Sequence, residues 1–354
     1  MLLTPKNIAL TLRLRKASRR AGVPVRELPE PDLLAATDPR TDPTKWGLPA
    51  DDRVVTRGPD EDPELTAAVT ALREGNWEPA ATRLAATWSD WDTRGRVTTA
   101  LGEAAANDDT WLEAWRAARP DDPGHAVVHA RALVSLAWQV RGAGWGSDIA
   151  PEQATAFRRL LGDAEPAAYA AAMAAPEDPT PWATLLTIAV GRSWDHDEFE
   201  EAWQQLVDRD PANVLGHQSA LRYWSARWHG SDDLMTAFAE RAATVAPPLA
   251  VLPLMAAFEL DHVPDAWHTR AITDALDVLL PRLATATESH TTRAERGWAI
   301  AALRERGRHP EALDQFRALD IHADAAPWPK YDRPLLAFLQ HRRDACRKAG
   351  RRHR

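Results

Sequence analysis

From Phe199 to Leu234 the chain reads FEEAWQQLVDRDPANVLGHQSALRYWSARWHGSDDL. Its apolar positions recur at helical spacing, an Asp-Pro turn divides it, and a Gly-Ser-Asp break closes it, which predicts two helices joined by a short turn. An earlier stretch, WLEAWRAARPDDPGHAVVHARALVSLAWQVRG, repeats that pattern. At an offset of 88 residues Glu113-Ala114-Trp115 falls on Glu201-Ala202-Trp203, Pro123 on Pro211, His129 on His217 and Leu133 on Leu221. The break Trp145-Gly146-Ser147-Asp148 is echoed by Trp228-His229-Gly230-Ser231-Asp232, and Thr155-Ala156-Phe157 by Thr236-Ala237-Phe238. A unit restated within one chain predicts a helical-repeat architecture.

The same periodicity extends to both sides. Helices are expected from Pro63-Glu64 onward, in ELTAAVTALREG, WEPAATRLAATW and WDTRGRVTTALGEAAA, then in DDTWLEAWRAARP and from Gly124 to Gly142. A further helix is expected over 166–175, before Asp178-Pro179 opens PWATLLTIAVGRSW. No stretch alternates β-branched and polar residues as a sheet strand would, so the fold class is all-α. The expected arrangement is antiparallel helix pairs stacked as an irregular α-solenoid. Residues 4–20 carry both helical and alternating spacing, and the period stays open. Between Pro24 and Pro63 eight prolines recur, a density that predicts an extended Pro-rich arm, with Trp46 beside Gly47 and Pro49 as its anchoring point. The expected organisation is a basic N-terminal segment and arm at 1–63, a helical-repeat domain at 64–340 with copies near 111–198 and 199–280, and a basic tail at 341–354.

Composition refines this. A hydrophobic share of 45% suffices for a core, and 16 tryptophans against 3 tyrosines suggest large rings filling gaps between helices, with ligand walls as the alternative. The single cysteine, Cys346, excludes an internal disulfide and any Cys-x-x-Cys site. In the run RRDACRKAG its cationic neighbours would lower a thiol pKa, although an incidental surface cysteine is the plainer reading. No apolar run is long enough to span a membrane, and MLLTPKNIALTLRLRKASRR lacks the core and cleavage site of a secretory signal, so a cytoplasmic location is expected. Net charge is -8 with +6 on residues 1–20 and +6 on residues 341–354, leaving -20 on the body between them. An acidic body argues against a nucleic-acid groove along the repeats, because phosphate neutralisation supplies most of such affinity.

Candidate chemistry lies on two predicted stripes. His217, Leu221, Trp224 and Trp228 follow i, i+4, i+7 and i+11 spacing, with Tyr223 and Arg227 on an adjoining face; Arg131, Val134, Trp138 and Arg141 form the other stripe. The candidate partner-binding set is therefore Arg131, Trp138, Arg141, His217, Tyr223, Trp224, Arg227 and Trp228. Repetition of His129 as His217 also suits a packing role. His125 and His129 stand four apart, as two metal ligands on one helix would, but no Glu follows and spacing indicates no third ligand short of His196. Neither a metal nor a cofactor is expected. Asp195, Asp197 and Glu198 read as the capped start of the Phe199 helix. Phosphate loop, nucleophile elbow and catalytic-cysteine context are all missing.

The stretch AWQQLVDRDPANVLGHQSALRYWSARWHGSDDLMTAFAERA at 202–242, and more loosely 114–160, resembles the tetratricopeptide-like repeat proteins of actinobacteria. So does Glu311-Ala312-Leu313 after Pro310 with Phe316 beyond it. The resemblance covers roughly residues 64–320, although Asp-Pro turns at 122, 178 and 210 leave the repeat frame irregular. It implies a non-catalytic scaffold that recognises a protein or peptide partner on its repeat face and transfers no catalytic residue. The alternative is a small-molecule enzyme or ligand sensor with a pocket lined by Trp, His and Arg.

Overall fold

The computed structural model describes residues 5–59, 61–142 and 149–350, so the break at Trp145–Asp148 lies outside the described residues. The chain is all-α. Its helices are α1 (Pro5–Ala21), α2 (Glu30–Thr37), α3 (Pro63–Leu72), α4 (Glu78–Ala85), α5 (Trp91–Asn107), α6 (Thr110–Ala118), α7 (Pro123–Arg141), α8 (Pro151–Ala174) and α9 (Thr180–Arg192). Then follow α10 (His196–Arg209), α11 (Val214–Tyr223), α12 (Asp232–Ala243), α13 (Leu252–Glu259), α14 (Arg270–Thr285), α15 (His290–Glu305), α16 (His309–Leu319) and α17 (Pro334–Ala349). Among the described residues no strand forms, a single isolated bridge joins Val55 and His322, and no helix is long and apolar enough to cross a membrane.

Short polar side chains start these helices by accepting the backbone N–H groups that a first turn leaves unpaired. Asp62, Asp90, Asn213 and Ser231 cap α3, α5, α11 and α12 in this way. Asp195 and Glu198 form a reciprocal capping box at the start of α10. One helix departs from expectation: α8 runs unbroken through Pro166 instead of starting a new helix there.

Two compact units are present. Residues 62–256 form one, and residues up to 61 together with those from 257 form the other. In the 62–256 unit, α5 packs on α7, α7 on α9 and α9 on α11, while α5 also touches α9 and α11. The row therefore curls, and its interior face carries the site described below. At its N-terminal end Trp111 and Trp115 fill the core with Leu84 and Leu101, and Trp77 stacks on Trp115 with ring centres 5.6 Å apart.

The second unit corrects the reading of both chain ends. The Pro-rich segment is not an extended arm. Pro29 and Pro31 stand at the start of α2, where proline is tolerated because its missing N–H would be unpaired anyway. Leu34, Leu48 and Val54 are buried with Phe316, Trp328, Phe338 and Cys346, and Trp46 packs against the same cluster. The basic stretch after 340 is not a solvated tail as far as residue 350. Arg342 and Arg343 on α17 are buried and both pair with Asp51 from the N-terminal segment, Arg343 through Nε at 2.7 Å. Cys346 is fully buried instead of superficial, and burial outweighs its cationic neighbours, pushing the thiol up to about 12. Of residues 4–20, whose period the sequence leaves open, those from 5 on fall in α1 and residue 4 lies outside the described residues.

Candidate functional site

Helix α7 extends to Arg141, so its predicted stripe survives and reaches an aromatic cluster. Trp138 meets Phe157 at 5.1 Å and Trp228 at 5.7 Å, edge to face in both cases. The Arg141 guanidinium lies 5.4 Å from the Trp138 ring centre and 5.2 Å from that of Trp228, within the range of cation–π attraction. Arg222, which the periodicity did not single out, lies 5.7 Å from the Trp138 ring centre. Burial, then the charges of Arg227 and Arg222, lower the Arg141 pKa, so three guanidinium groups feel one another here. Trp138, Arg141, Arg227 and Trp228 of the predicted set are thus brought together.

The other stripe breaks. Helix α11 ends at Tyr223, after which the backbone turns: Tyr223 O accepts from His229 N at 3.1 Å and Trp224 O from Ser231 N at 3.1 Å. The turn needs glycine at 230, where a Cβ would stand 2.0 Å from Trp224 O. With the helix gone, the i+7 and i+11 spacing of Trp224 and Trp228 no longer places them on one face with His217. His217 and Tyr223 are removed from the surface, against expectation. The His217 ring sits 2.8 Å through Nδ1 from Asn213 O and edge-on to Trp203 at 4.8 Å, and burial lowers its pKa. Tyr223 donates its hydroxyl to Trp194 O at 2.9 Å and stacks on Phe199; burial, with Asp195 and Glu198, pushes its phenol up to about 12. Both side chains hold the fold. Trp224 is half-buried and rests on His196 at 4.8 Å.

His125 and His129 stack with ring centres 5.8 Å apart, and burial lowers the pKa of each. The edge of His125 also meets Trp115. Among the described residues no group of three potential ligands could hold a metal, and His196 packs elsewhere.

Next to the Arg–Trp cluster, a cleft of about 170 Å³ opens between α5, α7, α9 and α11. Each helix contributes side chains at spacings that share a face. From α5 come Gly95, Thr98 and Thr99; from α9, Thr180, Thr184 and Thr187; from α11, Leu215, Ser219 and Arg222; from α7, Arg131. The two α5 glycines make the approach feasible. A Cβ at Gly95 would stand 2.7 Å from Leu215 Cδ1, and one at Gly102 only 2.6 Å from Arg131 Cγ. Arg131 therefore lies against bare α5 backbone, where burial lowers its pKa. Thr187 and Ser219 hydroxyls meet at 3.1 Å across α9 and α11. Below the cleft a buried pair fixes α5 to the start of α9: Arg94 Nε contacts Asp178 Oδ2 at 2.6 Å, and Asp178 Oδ1 accepts from Thr180 N at 2.8 Å.

The lining holds two guanidinium groups, several hydroxyls and no carboxylate, imidazole or thiol. It has donors for an anion and no nucleophile–base pair. Sequence reading found Arg131 and missed the rest, although two signals stood in plain view. Glycines inside a helix cost about 1 kcal/mol each and call for a packing reason. The threonines of α9 likewise form a polar stripe in an otherwise apolar segment. Comparison with protein-family models, with curated proteins and with solved structures finds no match to the chain.

Proposed function

We propose that residues 62–256 form a non-catalytic, tetratricopeptide-like binding module that grips an acidic segment of a protein or peptide partner. The observation that carries this reading is the contact of the Arg141 guanidinium with both the Trp138 and the Trp228 ring, with Arg222 and Arg227 close enough to depress its pKa. Indole faces beside guanidinium groups also suit a segment in which carboxylates alternate with apolar side chains, since Trp and Arg dominate the energetics of such contacts. The alternative of an enzyme or sensor enclosing an organic small molecule has less support, because the neighbouring cleft, at about 170 Å³, falls below the roughly 300–1,000 Å³ of pockets that enclose drug-sized ligands.

The test is fluorescence anisotropy with a labelled peptide that alternates Glu and Phe, at low and moderate salt. The double variant Arg141→Glu, Arg227→Glu should weaken binding at least tenfold, about 1.4 kcal/mol, and remove most of its salt dependence. Equal affinity of the double variant and the parent would eliminate this face as the binding surface.

A further inference from the structure

We propose that the cleft between α5, α7, α9 and α11 is a separate site for a compact tetrahedral oxyanion, either inorganic phosphate or the phosphoryl end of a larger molecule. Elsewhere in the 62–256 unit the buried Arg94 is paired with Asp178 at 2.6 Å and the half-buried Arg83 with Asp62 at 2.7 Å. Among the described residues no carboxylate pairs with Arg131, and its shielded Nε has no hydrogen-bond partner. The shielded hydroxyls of Thr98 and Thr180, in the same lining, have none either. Buried donors are normally satisfied, so three unsatisfied ones around a single cavity point to a ligand that accepts from them.

Size and direction narrow its class. The cavity of about 170 Å³ admits a compact anion but not a drug-sized molecule. Its polar groups come from four helices and so approach from several sides. A planar carboxylate uses two acceptors in one plane, whereas a tetrahedral oxyanion directs acceptors outward all round. Arg131 supplies positive charge in a lining that holds no carboxylate, and a guanidinium fork matches phosphate oxygens well. Arg222 belongs both to this lining and to the Arg141–Trp228 cluster, but Arg131, Thr98 and Thr180, which carry the proposal, lie outside that cluster.

Isothermal titration calorimetry of the full chain in chloride buffer tests the proposal, with inorganic phosphate, phosphoserine and acetate as titrants. Saturable binding of one phosphate per chain is expected, weakened at least tenfold in Arg131→Met and several-fold in Thr98→Val. Met retains the aliphatic stem over Gly102 and Val retains the shape of Thr, and an unchanged far-UV circular dichroism spectrum shows that each variant is folded. Tighter binding of phosphoserine than of phosphate would support the site and identify its ligand as an attached phosphoryl group. Absence of saturable binding by both phosphate and phosphoserine overturns the proposal; so does equal binding by Arg131→Met, or acetate binding as tightly as phosphate.

Discussion

Replacing Arg94 by Met should destabilise the 62–256 unit more than any surface change could. Arg94 is 3% exposed and Asp178 0%, with Nε and Oδ2 2.6 Å apart. The second arm of Arg94 donates to Leu84 O at 3.0 Å, and Asp178 retains one further bond, from Thr180 N. Removing the guanidinium leaves a fully buried carboxylate with a single neutral donor, a change that costs about 3–5 kcal/mol. The unit runs from Asp62 to Ala256, a size at which 1 kcal/mol moves the melting temperature by about 2–4 °C. The expected fall is therefore roughly 6–20 °C.

The double variant Arg94→Met, Asp178→Asn decides whether uncompensated charge is the cause. Asn keeps an acceptor for Thr180 N and carries no charge, so the double variant should recover much of the loss, leaving a deficit of about 1–2 kcal/mol for the lost bonds. Urea titrations followed by tryptophan fluorescence and far-UV circular dichroism, with the parent and both single variants, complete the cycle. The reasoning fails if Arg94→Met costs less than about 1 kcal/mol, or if the double variant is no more stable than Arg94→Met.

Gly102→Ala should destabilise by about 1 kcal/mol net, because the new methyl would stand 2.6 Å from Arg131 Cγ and 3.1 Å from its backbone carbonyl carbon, and overpacking outweighs the helix-propensity gain; urea midpoints measure it. Cys346, its thiol pushed up to about 12 by burial, should resist alkylation by iodoacetamide in the folded protein and react in denaturant, as mass spectrometry would record. Burial, aided by Arg304 and opposed by Asp344, depresses His341 to about 3 from the ordinary 6.5. The unfolded chain then binds the proton first on acidification, so this contribution is complete above pH 6.5 and is lost as pH falls toward 3; His341→Asn should flatten that decline while still accepting from Trp328 Nε1. Asp51→Ala strands Arg342 and Arg343 in the core and should release the N-terminal segment to limited proteolysis.

Local pattern carried the all-α class, most helix positions and the Asp195 cap, because helices are specified by residues three or four apart and by the side chain before the first turn. It failed where partners are distant. The charge run at Arg342 and Arg343 left solvated and body-docked ends equally open, since the Asp51 that pairs with them lies 291 and 292 residues away. The proline count excluded long helices but said nothing against the eight-residue α2 or a buried Leu34. The stripe through His217 assumed a helix that continued to Trp228, whereas Gly230 requires a turn. The cleft escaped notice for a related reason. Its walls come from four helices, and each wall alone reads as an ordinary threonine or glycine position.

The 88-residue echo helps to separate packing from chemistry once both copies are placed. Position 134 holds Val, 1% exposed, and its equivalent 222 holds Arg at the cleft. Arg141 lies against two indoles, whereas its equivalent His229 sits 2.8 Å through Nε2 from Val190 O, a bond within the fold. Arg131 and its equivalent Ser219 both line the cleft, one with a charge and the other with a hydroxyl that meets Thr187. Where the copies agree, as at Trp115 and Trp203, the side chains make packing contacts, with Trp77 and His125 in one copy and with His217 and Phe238 in the other. Where they differ, cations gather around one cavity and one aromatic cluster. A structural requirement of the repeat would impose the same residue twice. Asymmetry between equivalent positions is therefore the feature that the two proposed binding sites share.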